Sequence, residues 1–150
     1  MKFKNNMKAT GTLHIVVRDQ NDNVIQDVTT TNLVVDSGLD YIAERMKDTG
    51  QPNEMSHMAI GTDATAAAAG DTALGAEVGR VALATAGGTV TSNAVEYVAT
   101  FPAGTGTGSI VEAGVLNAGT GGDLLCRSDF GIVTKGASDS MSITWTVTVS

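Results

Sequence analysis

One cysteine in the whole chain, Cys126, excludes an internal disulfide. It lies in the apolar stretch Leu124-Leu125-Cys126-Arg127, where a buried, unreactive thiol is expected. Nucleophilic use needs a histidine partner, and His14 and His57 are the only candidates. One cysteine and two distant histidines also cannot furnish an ordinary zinc site. Aromatic residues make up only 4% of the chain, and much of the 42% apolar content is alanine and valine. Small side chains remove less area from water, at about 25 cal/mol per Å², so contacts beyond the chain's own core are expected. Basic residues are scarce as well, nine against 16 acidic, for a net charge of −7. Nucleic acid and anionic membranes are therefore poor partners for the body of the protein. No apolar run reaches the roughly 18 residues of a membrane span. The basic start is followed by no hydrophobic segment, so no signal peptide is expected and the chain reads as made in the cytosol.

What is present organises into one domain. Residues 1–10 read as an amino-terminal arm, with Lys2, Lys4 and Lys8 around Phe3 and Met7. Residues 11–150 read as a single antiparallel β-sandwich, jelly-roll-like, with one short helix near residues 37–48. Leu13, Ile15 and Val17 alternate with His14, Val16 and Arg18, the period of a half-buried strand. Asp19-Gln20-Asn21-Asp22-Asn23 is a turn cluster, and Val24 to Thr31 returns as the hairpin partner. Ser37 three residues before Asp40 suggests a capping box. Leu39, Ile42, Ala43 and Met46 then form one apolar helical stripe, which Gly50 and Pro52 end. Met55 to Ile60 reads as a strand and residues 61–72 as a long surface loop. Further strands are expected at Glu77 to Ala86, Val95 to Phe101, Ile110 to Leu116 and Asp123 to Phe130. The chain's closing strand is the clearest. Met141, Ile143, Trp145, Val147 and Val149 share one face, and Ser142, Thr144, Thr146 and Thr148 share the other.

Chemistry-bearing motifs fail at their defining positions. Gly104-Thr105-Gly106-Thr107-Gly108 leads into a strand, whereas a dinucleotide loop opens a helix. Asp19, Asn21 and Asn23 match the first ligands of an EF-hand, but Val24 and Thr30 stand where glycine and glutamate are required. No nucleophile elbow is present. Glu96, Glu112 and Asp129 read as solvent-facing or strand-end carboxylates. No enzyme activity, cofactor or metal is expected.

Five segments carry a resemblance. Asn32-Leu33-Val34-Val35-Asp36-Ser37-Gly38-Leu39, Met58-Ala59-Ile60-Gly61-Thr62-Asp63 and Asp71-Thr72-Ala73-Leu74-Gly75-Ala76-Glu77-Val78-Gly79-Arg80-Val81 resemble small virion proteins of tailed bacteriophages. Ile110-Val111-Glu112-Ala113-Gly114-Val115-Leu116-Asn117 is similar to a hairpin of phage tail-fibre and decoration proteins. The closing strand from Ser138 to Thr146 resembles that group's last strand. The resemblance implies a virion component, first a capsid decoration (cement) protein on the major capsid protein, and trimeric. A tail or fibre-attachment adaptor is the alternative, and a carbohydrate-binding module a more distant one. Lys2, Phe3, Lys4, Met7 and Lys8 are the candidate partner interface. With Phe3 and Met7 as apolar anchors, Phe3 would enter a neighbour's groove while the lysines meet its carboxylates.

Overall fold

The computed structural model describes residues 7–150. Elements follow in the order β1 (Ala9–Arg18), β2 (Val24–Val34), α1 (Asp36–Glu44), β3 (His57–Gly61), β4 (Glu77–Ala82), β5 (Thr89–Thr91), β6 (Ala94–Phe101), β7 (Gly108–Leu116), β8 (Leu124–Lys135) and β9 (Ser140–Val149). The strands form one sheet in the order β4-β3-β7-β8-β2-β1-β9-β6-β5. Every pairing is antiparallel. The fold is mainly β and sandwich-like, as the alternating segments imply.

The sheet folds at one narrow joint. β2 and β8 share only the pairs Leu33↔Arg127 and Val34↔Cys126. Farther along, the Gln26 amide takes the place of a backbone partner, donating to the Thr134 carbonyl and accepting from its N–H at 3.1 Å. A two-pair ladder leaves the halves free to face each other. At the opposite margin the Ala84 N–H, just past β4, donates to the Val98 carbonyl of β6 at 2.8 Å.

The core is built in rows across β1, β9 and β6. Leu13 pairs with Trp145 and Trp145 with Tyr97. Ile15, Ile143 and Ala99 form the next row, and Val17, Met141 and Phe101 the third. All nine are buried. Met58, Ile60, Ile110, Ala113 and Val115 from β3 and β7 join the same cluster. Full burial of each larger aliphatic or aromatic side chain contributes about 1.5–3 kcal/mol. The opposite face of these rows is polar: Thr12 lies between Thr31 and Thr146, and His14 between Thr29 and Thr144.

Several local expectations change in three dimensions. The helix spans Asp36–Glu44, with Val35 as an N-cap that makes no side-chain hydrogen bond. Ser37 forms no capping box, because its hydroxyl donates to the Leu124 carbonyl at 2.9 Å. The inward residues are Gly38 and Tyr41, with Ile42 half-buried. Leu39 and Met46, assigned to the core stripe by spacing, are 48% and 79% exposed. Gly38 explains the rotation: a Cβ there would lie 1.9 Å from the Leu125 carbonyl oxygen. Glycine lets the helix backbone approach β8 closely, and Tyr41 follows it inward one turn later. β4 ends at Ala82, and the short β5 hairpin with β6 appears where only a Gly87-Gly88 turn was expected. β8 runs five residues past Phe130 to the buried Lys135. β1 opens at Ala9, and Lys8 exchanges two backbone hydrogen bonds with Ser150, at 2.7 and 2.8 Å. The chain is therefore tied into the sheet from Lys8 onward, earlier than an arm of ten residues implies.

Candidate functional site

Two charged residues in otherwise apolar strands meet at the most organised polar site. β7 changes register between Ile110 and Glu112. Ile110, Ala113 and Val115 face the main core, while Glu112 turns to the other side, beneath the loop at residues 62–76. Glu112 is fully buried and not solvent-facing, because the loop at residues 62–76 covers the face of β7 on which it lies. Its carboxylate accepts the N–H groups of Ala76 at 2.7 Å, Gly75 at 2.9 Å and Asp63 at 3.3 Å. Arg127 of β8 donates to it through Nε at 3.0 Å and lies 2.9 Å away through Nη2. The guanidinium also donates to Asp71 and to the Thr65 carbonyl, both at 2.9 Å. Burial alone would lower the pKa of Arg127, and the hydrogen bonds it donates to Glu112 and Asp71 reverse that and raise it.

The surrounding residues are shaped to this knot. A Cβ on Gly61 would meet Glu112 Oε1 at 2.3 Å, and one on Gly75 would meet Asp63 Oδ2 at 1.8 Å. Gly114 leaves room for Leu74, which seals a second apolar cluster with Val35, Ala59, Leu116 and Leu124. Arg80 grips Glu77 with two nitrogens, at 2.8 and 2.7 Å, and donates to the carbonyls of Ala118 and Gly121. Gly61, Asp63, Asp71, Leu74, Gly75, Glu112 and Gly114 come together around this knot. Their shared task is to clamp a long loop onto β3, β7 and β8. The ion pair thus holds the loop through hydrogen bonds on both of its partners.

Other sequence candidates find ordinary roles. Asp19 accepts the N–H groups of Asn21 and Asn23 at 2.9 and 3.0 Å, and these bonds, Asn23 first, hold its carboxyl below the usual value. It is a hairpin turn with Asp22 in the left-handed region, at φ 66°. Cys126 is buried, and burial pushes its thiol up, away from reactivity. Among the described residues, no group of three or more His, Cys, Asp or Glu side chains is placed to hold a metal ion. No helix among them is long and apolar enough to cross a membrane. Trp145, Phe101, Tyr97 and Tyr41 are all buried, so none of them offers the flat exposed ring that sugar binding needs.

The proposed interface residues divide. Lys2, Phe3 and Lys4 lie outside the described residues. Met7 is 74% exposed, and Lys8 is held by its backbone to Ser150. Met7 lines an apolar groove of about 170 Å³ with Leu39, Ile42, Ala43, Met46 and Val149. On the other flank of α1, a cavity of about 430 Å³ lies between Tyr41, Arg45, Glu54, Gly88, Tyr97 and Val147. The helix thus lies over one end of the sandwich with open apolar space on both sides. Leu39 and Met46 line this groove together, but α1 ends at Glu44, before Met46, and periodicity could not tell which way the stripe points.

Fold and site together define a small antiparallel β-sandwich whose buried charges are spent on loop architecture. In comparisons with known proteins, no family model, curated protein or solved structure matches the chain.

Proposed function

We propose that the protein is a non-enzymatic structural component of a tailed-phage virion, a capsid cement protein acting as a trimer on the major capsid protein. The observation that carries this reading is the convergence of the phage-like segments on the Glu112–Arg127–Asp71 clamp. The likeness therefore concerns residues that build a rigid domain and its loops. A shell component needs a stiff body, surface free of obligatory ligands, and contacts that add up through symmetry. The threonine-rich face of β2, β1 and β9 and the exposed apolar end at Met7, Leu39 and Met46 are surfaces of that kind. Lys2, Phe3, Lys4, Met7 and Lys8 remain the proposed contact with the neighbour, and their positive charge complements an acidic partner surface. A tail or fibre-attachment adaptor would use the same rigid body.

Immunogold labelling of assembled virions tests the reading. Label over the head is expected, and label confined to the tail transfers the assignment to an adaptor. Absence of the protein from purified particles removes the virion reading altogether. In a decoration assay, deleting residues 2–6 leaves β1 and the Lys8–Ser150 bonds intact. Weaker binding that is sensitive to salt is the expected result, and unchanged binding at low and high salt would exclude a role for the arm.

A further inference from the structure

Strand backbone without a partner lies beside the joint of β2 and β8. The two strands pair only at Leu33↔Arg127 and Val34↔Cys126, after which the Val35 N–H donates to the Leu125 carbonyl. Backbone groups alternate in direction along a strand, so Asp27, Thr29 and Thr31 turn their N–H and C=O toward β8 as well. Val28, Thr30 and Asn32 turn theirs toward Ile15, Leu13 and Gly11 of β1. On the β8 side the Thr31 carbonyl accepts the Ser128 hydroxyl at 2.7 Å. Among the described residues, the other groups that Asp27, Thr29 and Thr31 turn that way have no protein partner. A bulge on β8 keeps the strands apart: residues 130–132 stand opposite Val111 alone, because Ile110 pairs with Val133 and Glu112 with Asp129. Gln26 measures the gap. Gln26 and Thr134 lie equally far along their strands from the Leu33↔Arg127 pair, and the Gln26 amide bonds both backbone groups of Thr134. A glutamine side chain carries its amide roughly 4 Å from the backbone, close to the ~4.8 Å between neighbouring strands. The amide thus stands where a peptide group of an intervening strand would, and Thr134 lies one strand farther on. Toward the joint the wedge narrows to a cavity of about 330 Å³ between Thr30, Thr31, Leu33, Ala67, Ser128 and Asp129. Open edges are ordinarily kept short or blunted by proline or lysine. β5 is short, at Thr89–Thr91, whereas β2 carries neither blunting residue from Val24 to Val34.

We propose that the wedge between β2 and β8 takes one extended segment of a partner protein, bound by β-strand addition. Main-chain hydrogen bonds to Asp27, Thr29 and Thr31 supply the attachment. The edge of a second sheet does not fit, because the wedge is one strand wide and a sheet strand brings its neighbours with it. The occupant is therefore a terminus or linker of the partner. Its side chains alternate, small or apolar toward half-buried Val28 and Thr30 and buried Val133, and basic toward solvent. Basic residues suit the outer face because Asp27, beside His14, and Asp129 are the exposed charged side chains along the two rims. The inference stands apart from the virion reading, since it rests on the backbone of β2 and β8.

Amide hydrogen exchange tests the edge first. In the free protein the Asp27 and Thr29 amides should exchange at least tenfold faster than those of Val28 and Thr30, after correction for intrinsic rates. Equal protection would mean that the edge is already covered, and overturns the proposal. The binding probe is an end-blocked peptide of alternating lysine and valine, seven residues long, titrated to millimolar concentration. It should bind and slow exchange at Asp27 and Thr29 while leaving Val28 and Thr30 unchanged. The same peptide N-methylated at every valine should bind about tenfold more weakly, because the donors facing one rim are gone. In the protein, Thr29→Pro deletes an N–H that faces the wedge and no bond to β1, and should weaken binding similarly. If that variant does not fold, the N-methylated peptide reads the same bonds from the partner's side. No binding, protection at other amides, or indifference to N-methylation overturns the proposal. A version with glutamate in place of lysine that binds as tightly overturns the basic character assigned to the segment.

Discussion

Arg127 is 2% exposed and Glu112 is fully buried, and each is the other's main counter-charge. Removing one partner strands the other in a site water cannot reach. Glu112→Ala or Arg127→Met is therefore expected to cost about 3–5 kcal/mol. The pair changed together should lose clearly less than the sum of the single losses, because no charge is then orphaned. Urea titration of the four proteins measures this coupling. Full additivity would mean that the two side chains act independently, contrary to their 2.9 Å contact. Lys135 is the contrasting residue. It is buried with one hydrogen bond to the Pro102 carbonyl at 2.9 Å, and burial lowers its pKa.

At the scale of elements, α1 and the loop at residues 62–76 depend on different physics. α1 needs close approach. Gly38→Ala improves intrinsic helix propensity by about 1 kcal/mol yet places a Cβ 1.9 Å from backbone oxygen that cannot swing aside. A net destabilisation of about 1–3 kcal/mol is expected from overpacking. A higher thermal midpoint for that variant would show that the helix is not seated by this glycine. The loop depends on carboxylates. Asp63 accepts the Thr65 N–H at 3.0 Å and its hydroxyl at 2.7 Å, and these bonds hold its carboxyl below the ordinary value of 3.8. A depressed folded-state pKa contributes stability that is complete above the unfolded value and lost as pH falls through the folded one. Asp19 behaves likewise in the β1–β2 turn. Stability should hold from neutral pH to about 5 and decline below about 4, where carboxylates begin to protonate. Amide exchange at Thr65 should quicken over the same interval, and Asp63→Asn should weaken that response. Exchange independent of pH, after correction for intrinsic rates, would count against the carboxylate as the loop's anchor.

For the whole molecule, the prediction concerns assembly. The core rows bury Trp145 and Phe101, but many remaining core positions are valine or alanine, and one face of the β2-β1-β9 sheet is threonine-rich. A trimer gives a light-scattering mass near three times the chain's 15.3 kDa at micromolar concentration. A mass equal to one chain at that concentration would remove the trimer from the proposal while leaving the fold untouched.

Local pattern was enough for the strands of the main core. Leu13-His14-Ile15-Val16-Val17 and Met141 to Val147 declare their inward faces because a pleated strand with one wet side has a period of two. The Asp19 turn and the buried state of Cys126 were legible for the same local reasons. Glu112 was not. Its burial depends on a loop from elsewhere in the chain lying over it. Nor was the outward turn of Leu39 and Met46 legible, because periodicity defines a stripe and only the fit of Gly38 against Leu125 orients it. Sequence by itself determined which residues alternate and where the chain turns. Tertiary structure alone decided which faces are covered, since covering is a property of two segments meeting and no single segment encodes its partner's position.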